Sequence, residues 1–438
     1  MQDNREIILE ALLLYDKGED LADKLIKNVL DKYSFLEKNE RSFINRVFSG
    51  TIERRLTLDY IINLFSSVKI NKQKPVIRNI LRMSVYQIFY MDSVPDSASI
   101  NEAVKLAKKK KFQGLSGFVN GVLRKIAASK DAIAFPKKEA GESYYLSIKY
   151  SCPEWICEHF INEIGFEKTE AVLVNSLEDR PLVVRTNFSK ISKDELVKVL
   201  EKENVTVTDI SESEAALIIS GFDTLMNLSS FEEGLFSVQD FSSQMLFEGM
   251  DASDIGLAVD VCAAPGGKTC HLADKMAVKS NLDGVDRRII SRDLSFDKVD
   301  RIDENLYRCG FNNVSSEVFD ALELDEELVE KVDLVVADLP CSGLGVIGRK
   351  VDIKYRIKKE NLLELSNLQK EILKVVSQYV KKGGRLIFST CTVDSIENEE
   401  NVKFIEKNLP FKQTVPFKKI INDRPYMDGF FISRFERI

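Results

Sequence analysis

The stretch DVCAAPGGKT, residues 260–269, connects an apolar run to a segment of helical character. Its small side chains and its two adjacent glycines allow the backbone to approach a ligand closely. A helix that begins within this stretch would direct free backbone N–H groups toward that ligand. The stretch therefore predicts a strand, a cofactor-binding loop and a helix, which together form the first unit of an α/β domain.

Two phosphate-binding motifs compete for the same loop. A P-loop requires the pattern G-x-x-x-x-G-K-[ST], and counting back from Gly267 places the first glycine at position 262, which is a cysteine. The dinucleotide pattern G-x-G-x-x-G is also absent. The loop therefore favours a different small cofactor, and a strand-to-helix turn without a ligand remains the simplest alternative.

Downstream of Phe236, apolar runs alternate with helical stretches, which is typical of a parallel α/β sheet. The segment 430–435 is rich in β-forming residues and predicts an additional edge strand. We expect residues 236–438 to form one domain. Its strands are predicted at residues 256–261, 289–294, 314–319, 332–339 and 384–389.

Upstream, residues 1–133 show apolar stripes of helical period, such as Ile8, Ala11, Leu12 and Tyr15, and predict an all-α domain. A linker is expected at residues 132–141. Residues 145–235 mix helical segments with short β-rich runs and predict a small α+β connecting unit. The fold class predicted from the sequence is thus a multidomain protein with all-α, α+β and α/β parts.

Composition bounds the possible classes of protein. The 438 residues are 44% hydrophobic and 30% charged, which is ordinary for a globular protein. No basic leader precedes an apolar core, and no apolar run reaches the roughly 18 residues of a membrane span. We expect a cytoplasmic protein that does not enter the membrane.

Cysteine and histidine usage narrows the chemistry further. The seven cysteines form no C-x-x-C pair, and the chain has two histidines. These numbers favour reduced thiols and predict no metal site. Residues 68–125 carry 12 basic and 3 acidic residues, so a local basic face could bind RNA or DNA although the net charge is -7.

Two cysteines follow apolar runs at the end where α/β sheets bind ligands. Cys341 stands three residues after Asp338, and Cys391 follows the next predicted strand. A thiolate can attack an electron-poor ring carbon, such as carbon 6 of cytosine or uracil, which makes carbon 5 nucleophilic toward a methyl donor. Asp338 is the candidate to assist at the base edge. Taken singly, each cysteine is better explained as a small buried apolar residue, and it is the pair at matching strand ends that favours a catalytic role.

These motifs resemble a known family. The stretches CAAPGGKT (262–269), DLPCSGLG (338–345) and STCT (389–392), followed by ENE (397–399), resemble the S-adenosylmethionine-dependent RNA cytosine-5 methyltransferases. Helical segments within residues 75–124 are similar to the antitermination factor NusB. The two resemblances together cover nearly the whole chain.

The resemblance implies a fold, an activity and a set of roles. The fold would be a NusB-like helical RNA-binding domain (1–133), the connecting unit and a Rossmann-like methyltransferase domain. The activity would be methylation of carbon 5 of a cytosine in 16S ribosomal RNA, with no obligate protein partner. Cys391 would be the nucleophile, Cys341 would help to release the methylated base, and Asp338 would lie between cofactor and cytosine.

The resemblance also assigns the cofactor site. Asp293 would bind the ribose hydroxyls of S-adenosylmethionine, and Asp320 would lie at the adenine. The remaining residues would surround the methionine part of the cofactor. The implied cofactor-binding set is Cys262, Ala263, Ala264, Pro265, Gly266, Gly267, Lys268, Asp293, Asp320 and Asp338.

Two other classes of function remain as alternatives. A non-catalytic RNA-binding factor of the antitermination type would use the helical part alone and would leave the two strand-end cysteines unexplained. A P-loop nucleotide hydrolase would use the GGKT sequence, although Cys262 replaces the first glycine of its motif.

Overall fold

The computed structural model describes residues 3–438. The helices are α1 (Asn4–Asp16), α2 (Ala22–Lys32), α3 (Lys38–Glu53), α4 (Arg55–Phe65), α5 (Pro75–Tyr90), α6 (Asp96–Lys109), α7 (Ser116–Ala128), α8 (Glu142–Tyr150), α9 (Glu154–Ile164), α10 (Phe166–Ser176), α11 (Lys193–Lys202), α12 (Ser229–Glu232), α13 (Phe241–Gln244), α14 (Gly267–Asp283), α15 (Phe296–Cys309), α16 (Ile353–Arg356), α17 (Lys359–Val376) and α18 (Glu399–Asn408). The strands are β1 (Leu182–Thr186), β2 (Thr206–Asp209), β3 (Ala216–Ser220), β4 (Phe236–Val238), β5 (Leu257–Asp260), β6 (Arg288–Asp293), β7 (Val314–Val318), β8 (Val332–Asp338), β9 (Val380–Thr390), β10 (Phe411–Ile420) and β11 (Phe430–Arg437).

The chain divides into two compact units. The first, which we call the helical unit, contains the residues up to Leu177 together with Ile347–Ile357. The second, the sheet unit, contains Glu178–Val346 and Lys358–Ile438. A short segment from the middle of the chain is therefore built into the N-terminal unit.

The helical unit is all-α, as the apolar stripes predict. Helix α5 begins with Pro75, whose fixed backbone angle and missing N–H suit the first helical position. Its residues 79–88 are almost all buried, so α5 forms the centre of the unit, and the stripe of α1 packs in the same core. Helices α8, α9 and α10 also belong to this unit. Residues 145–235, predicted as a connecting unit, are thus divided between the helical unit and the sheet unit. The boundaries of the connecting unit stay a prediction.

Residues 347–357 are fixed in the helical unit by buried polar contacts. The Tyr355 hydroxyl lies 2.9 Å from the carbonyl oxygens of both Glu53 and Ser151, and it can donate its proton to one of them at a time. The carboxylate of buried Asp352 accepts a hydrogen bond of 3.2 Å from the backbone N–H of Ala22. The guanidinium of Arg55 lies 4.0 Å from the centre of the Tyr355 ring. This segment is therefore an integral part of the helical unit.

The sheet unit contains two sheets. The smaller one has the strand order β2-β3-β1-β4, and every pair in it is antiparallel. Arg185 on β1 is buried and pairs with buried Asp274 on α14 at 2.5 Å, which ties the small sheet to the helix of the glycine-rich loop. Because a buried carboxylate is stable only with charge and hydrogen-bond partners, this pair fixes β1 against α14.

The larger sheet has seven strands in the order β10-β11-β9-β8-β5-β6-β7. The five strands from β9 to β7 in this order are parallel, while β11 and β10 are antiparallel to their neighbours. The chain order reverses between β5 and β8, and such a reversal opens a crevice at the carboxyl ends of the strands. The predicted parallel α/β sheet is confirmed.

Two features of this sheet differ from the sequence expectation. The C-terminal strand β11 is not an edge strand, because it pairs with β9 on one side and with β10 on the other. The edge strand on this side of the sheet is β10, which the sequence did not predict. Pro416 and a mixture of charged and apolar residues hide the alternation of buried and exposed side chains along it. Two register irregularities between β10 and β11 accommodate that sequence.

Across residues 3–438, the structure contains no helix whose length and apolar character would allow it to cross a bilayer.

Replacing Tyr355 by phenylalanine tests the role of the 347–357 segment. The change removes the hydroxyl that satisfies a buried carbonyl, so we expect a loss of about 1–2 kcal/mol in the free energy of unfolding. Thermal unfolding followed by circular dichroism should show a lower midpoint for this variant. Tyr144→Phe, at an exposed tyrosine of the same unit, is the control. Equal midpoints for the two variants would contradict the anchoring role.

Candidate active site

The parallel strands bring four chain segments to one edge of the large sheet. Asp260 ends β5, Asp293 ends β6, Asp338 ends β8, and Thr390 ends β9 immediately before Cys391. In the register, Asp338 is opposite Ser389. The residues predicted from the motifs therefore converge although they are far apart in the chain.

The glycine-rich loop bends tightly between β5 and α14. The peptide bond between Ala264 and Pro265 is cis, and Gly266 has a φ of 97°. A Cβ atom on Gly266 would lie 3.2 Å from the Cα of Ile302 on α15, so a side chain at this position would be strained and crowded. Helix α14 begins at Gly267 directly after this turn. The loop has the close backbone path that the sequence predicts for a cofactor loop.

Asp260 supports this loop from inside the sheet. Its Oδ2 accepts a 2.7 Å hydrogen bond from the Thr269 hydroxyl, while Oδ1 is buried without a hydrogen-bond partner. Burial raises the pKa of Asp260 to about 7, despite the hydrogen bond from Thr269 and the charge of Lys268. Asp260 was not among the predicted site residues, because its side chain faces the core behind the loop.

Asp293 joins the loop to the end of β6. Its Oδ2 accepts the backbone N–H of Ala264 at 2.9 Å, and its Oδ1 accepts the N–H of Leu294 and the ammonium of Lys298, each at 2.7 Å. The carboxylate is buried next to the half-exposed Lys298. It is thus fixed against the glycine-rich loop at the end of β6, and its role in binding ribose stays a prediction.

Asp320 lies at the next strand end along the sheet. The N–H of Phe319, its neighbour, donates to the carbonyl of Asp293, which places the end of β7 beside the end of β6. The Asp320 carboxylate accepts the N–H of Leu322 at 2.9 Å. In the described residues, no hydrogen bond joins the Asp320 side chain to the other predicted site residues.

Asp338 and Lys268 form the charged centre of the site. The Lys268 ammonium lies 2.6 Å from Oδ2 of Asp338, and the Ser389 hydroxyl donates to Oδ1 at 2.7 Å. Burial alone would lower the pKa of Lys268, but the charge and hydrogen bond of Asp338 outweigh it and raise this pKa. Lys268 therefore stays protonated and links the glycine-rich loop to the end of β8.

The two predicted catalytic cysteines are in contact. The sulfur atoms of Cys341 and Cys391 lie 3.2 Å apart, and both residues are partly buried and not joined by a disulfide. A disulfide bond would require about 2.05 Å. The glycine at position 345 completes this arrangement, because its N–H donates to the carbonyl of Cys391 at 3.0 Å.

The thiols differ in their surroundings. The hydrogen bond with Cys391, together with burial, raises the pKa of Cys341 well above its usual range. Cys341 therefore keeps its proton. Burial and the carboxylates of Asp293 and Asp260 also raise the pKa of Cys262, which disfavours the thiolate form of this third cysteine.

A buried polar cluster behind the two cysteine loops was missed by the sequence analysis. Glu397 accepts the backbone N–H of Ser342 at 2.9 Å and the amide of Gln369 at 3.0 Å. Burial raises the pKa of Glu397 to about 7. The only sequence signal was the ENE stretch after Cys391, which gave no indication that its first glutamate is buried.

The comparison with protein families follows the three predicted parts of the chain. The NusB family model matches residues 2–128, and the ferredoxin-like domain model of the RsmF/B-like methyltransferases matches residues 152–223. The 16S rRNA methyltransferase RsmB/F model matches residues 250–436. Together with the observed sheets, these matches confirm the predicted fold class.

Relatives match over the full length. The probable ribosomal RNA small subunit methyltransferase B of Bacillus subtilis is 33% identical, over 98% of this chain and 97% of the relative. The protein described in the same words from Synechocystis is 31% identical, over 98% of each chain. The crystal structure of PH0851 superposes with a TM-score of 0.80 at 25% identity, covering 98% of this chain and 97% of that one.

Asp260→Asn tests the buried carboxylate through pH. Because the pKa is about 7 in the folded protein and about 4 in the unfolded chain, the folded state binds more protons between these values. Wild-type stability should therefore fall as pH rises from about 4 to 7. The asparagine side chain does not titrate, so the variant does not lose stability in this way. We therefore expect its free energy of unfolding, relative to that of wild type, to rise by about 1–3 kcal/mol by pH 8.

Urea unfolding at pH 5, 6, 7 and 8 measures this difference. Glu397 is present in both proteins, so its own titration cancels in the comparison. Asp286→Asn, at an exposed carboxylate paired with exposed Arg288, is the control. A constant difference between Asp260→Asn and wild type across this range would show that Asp260 is ionised in the fold throughout.

Proposed function

The chain belongs to the RsmB/F family of small-subunit ribosomal RNA methyltransferases, and from this premise we propose that it methylates carbon 5 of a cytosine in 16S ribosomal RNA, with S-adenosylmethionine as methyl donor. The family fixes the coarser statement, that the protein is an rRNA methyltransferase. The position on the base, the cofactor and the 16S target are the proposed part.

One observation carries this proposal: two thiols lie 3.2 Å apart at the ends of adjacent parallel strands, beside a carboxylate and a lysine. Methylation of a nitrogen or of a ribose hydroxyl needs no thiol. Methylation of carbon 5 of cytosine needs a nucleophile such as a thiol, because this carbon becomes nucleophilic only after a nucleophile has added to carbon 6. The thiol pair therefore supports carbon 5 as the target.

Cys391 is the nucleophile in this proposal. The raised pKa of Cys341 keeps that thiol protonated, so of the two thiols in contact we assign the attack on the base to Cys391. A bond forms between this sulfur and carbon 6 of the base, and the electron pair of the C5–C6 bond moves to carbon 5. S-adenosylmethionine supplies an electrophilic methyl group when bound.

Release reverses the addition. Carbon 5 then carries both the methyl group and its original proton. A solvent water takes up that proton, the C5–C6 double bond re-forms, and the carbon–sulfur bond breaks with its electron pair returning to Cys391. The protonated Cys341, in contact with Cys391, assists this step by donating a hydrogen bond to the departing thiolate. The ring must leave its stack to reach the thiols, as for other enzymes that modify nucleobases.

Asp338 orients the base, and Lys268 orients Asp338. The carboxylate accepts from Ser389 and from Lys268, so it is held in one position between the glycine-rich loop and the cysteines. A carboxylate in this position can accept a hydrogen bond from the exocyclic amino group of cytosine. Uracil has a carbonyl oxygen there, so the same carboxylate would disfavour it.

The cofactor residues fit the proposed donor. The two oxygens of Asp293 offer the bidentate acceptor that ribose hydroxyls require, and Lys298 and the two backbone N–H groups already orient them. A side chain at Gly266 would crowd Ile302, so the tight turn requires a glycine there, and we assign the methionine part of the cofactor to the small residues of this loop. We assign Asp320, beyond Asp293 along the sheet, to the adenine end of the cofactor.

RNA binding is assigned to the helical unit and to the strand-end edge. In the basic stretch at the end of α6, Lys109 and Lys110 form ion pairs with Glu6 of α1, at 2.6 and 2.8 Å. Lys110 also pairs with Glu10. RNA phosphates would therefore compete with the carboxylates of α1 for these lysines, which lowers the expected contribution of the lysines to RNA affinity.

Methyl transfer from labelled S-adenosylmethionine to unmodified 16S RNA tests the proposal. Wild type should transfer the methyl group, and Cys391→Ala should transfer none because the addition to carbon 6 is lost. Cys341→Ala should trap a protein–RNA adduct that resists denaturant, because release is slowed. Cys157→Ala, a buried cysteine of the helical unit, is the control.

Retention of transfer by Cys391→Ala would refute the covalent route. Binding of RNA without transfer by wild type would favour the antitermination-type alternative.

Asp293→Ala tests the cofactor assignment by isothermal titration calorimetry. Loss of the bidentate acceptor should weaken S-adenosylmethionine binding by about 10- to 100-fold, equivalent to one or two charge-assisted hydrogen bonds. Asp297→Ala, at an exposed aspartate four residues further on, should bind as wild type does. Equal affinity of Asp293→Ala and wild type would remove Asp293 from the site.

A further inference from the structure

The backbone around Cys341 is held on both sides by two buried side chains. The amide of Gln369, on α17, donates to the carbonyl of Pro340 at 2.8 Å. On the other side of the cysteine, the N–H of Ser342 donates to Oε2 of Glu397 at 2.9 Å. The same Oε2 accepts from Gln369 at 3.0 Å, so the two side chains act as one bridge.

This bridge also reaches the Cys391 loop. The Ser342 hydroxyl donates to the hydroxyl of Thr392, the residue after Cys391, at 3.0 Å. The side-chain amide of Asn398, the neighbour of Glu397, donates to the carbonyl of Thr392 at 3.0 Å. The two cysteine loops are thus tied to each other through residues that are not themselves thiols.

The bridge is fully buried and supported from behind. Glu397 and Gln369 are both 0% exposed. The amide of Asn401, on α18, donates to Oε1 of Gln369 at 2.6 Å, which fixes the orientation of that amide. Burying a carboxylate costs much desolvation energy. The hydrogen bonds from the Ser342 N–H and the Gln369 amide explain why a glutamate occupies position 397.

We infer that Glu397 is a positioning residue that sets the place of the Cys341 thiol against Cys391, acting through the N–H of Ser342 and the amide of Gln369. This inference rests on the proposed function, in which Cys341 assists release of the methylated base. Loss of the bridge should therefore slow release more than methyl transfer, since the nucleophile Cys391 is on a different strand end.

The first test separates the two steps in single-turnover reactions with 16S RNA. Glu397→Leu removes the acceptor, and we expect release to slow by about tenfold or more relative to methyl transfer, because a misplacement of about 1 Å has effects of this size. A denaturant-resistant adduct should then accumulate. Glu397→Gln keeps an oxygen that can accept from Ser342, so it should restore release.

Two further variants complete this test. Gln369→Met keeps the volume of the side chain but removes the amide, and it should show the same selective defect even if Glu397→Leu fails to fold. Glu400→Leu, at an exposed glutamate of α18 three residues after Glu397, should behave as wild type. If Glu397 had only a general structural role, the rates of methyl transfer and of release would fall in proportion and no adduct would accumulate. That result would overturn the inference.

The second test needs neither RNA nor methyl transfer. Diamide takes one hydrogen atom from each of two neighbouring thiols, which form a disulfide while the reagent becomes a hydrazine. The rate of Cys341–Cys391 cross-linking, followed by peptide mass spectrometry, reports how well the thiols are aligned. Glu397→Leu and Gln369→Met should cross-link about tenfold more slowly than wild type.

The two tests distinguish the two hypotheses. If wild type methylates no RNA, the proposed function fails, while the cross-linking rates still decide whether Glu397 aligns the thiols. If wild type methylates RNA but the Glu397 and Gln369 variants release and cross-link at wild-type rates, the positioning role fails and the proposed function stands.

Discussion

The parallel pairing of β8 with β9 is the constraint on which the site depends. It sets Asp338 opposite Ser389, and it thereby brings two cysteines that are fifty positions apart in the chain to a sulfur–sulfur distance of 3.2 Å. Because side chains alternate along a strand, a shift of one residue would turn Ser389 away from Asp338 and move Cys391 with it. The short loops after both strands transmit this register to the thiols.

Electrostatics at the same edge follows from burial. Asp260, Asp293 and Asp338 end three neighbouring strands, and Lys268 is the cation that bridges the glycine-rich loop to β8. Burial and the carboxylates around it raise the pKa of Cys262, so this thiol stays protonated beside them. The same concentration of negative charge suits a sulfonium donor, since a positively charged ligand offsets it.

The sequence predicted what depends on local pattern. The alternation of apolar runs and helices indicated the sheet, and the glycine-rich loop indicated its ligand edge. The sequence pattern could not predict contacts between residues that are far apart in the chain. Nothing in the pattern shows that Glu397 or Gln369 is buried, because polar residues on helices and turns are usually exposed. The inward place of β11 was missed as well, since pairing partners depend on the whole sheet rather than on one strand.

The helical unit is discontinuous in the chain, and this affects how the protein is made. Its N-terminal part ends at Leu177, yet Ile347–Ile357 belongs to it, so residues 178–346 must leave the ribosome before the missing segment can arrive. At roughly 5–20 residues per second, that interval lasts on the order of ten to thirty seconds. During it, the carbonyls of Glu53 and Ser151 lack the Tyr355 hydroxyl as a hydrogen-bond donor. The N-terminal helices therefore reach their final state only when most of the sheet unit has already been synthesised.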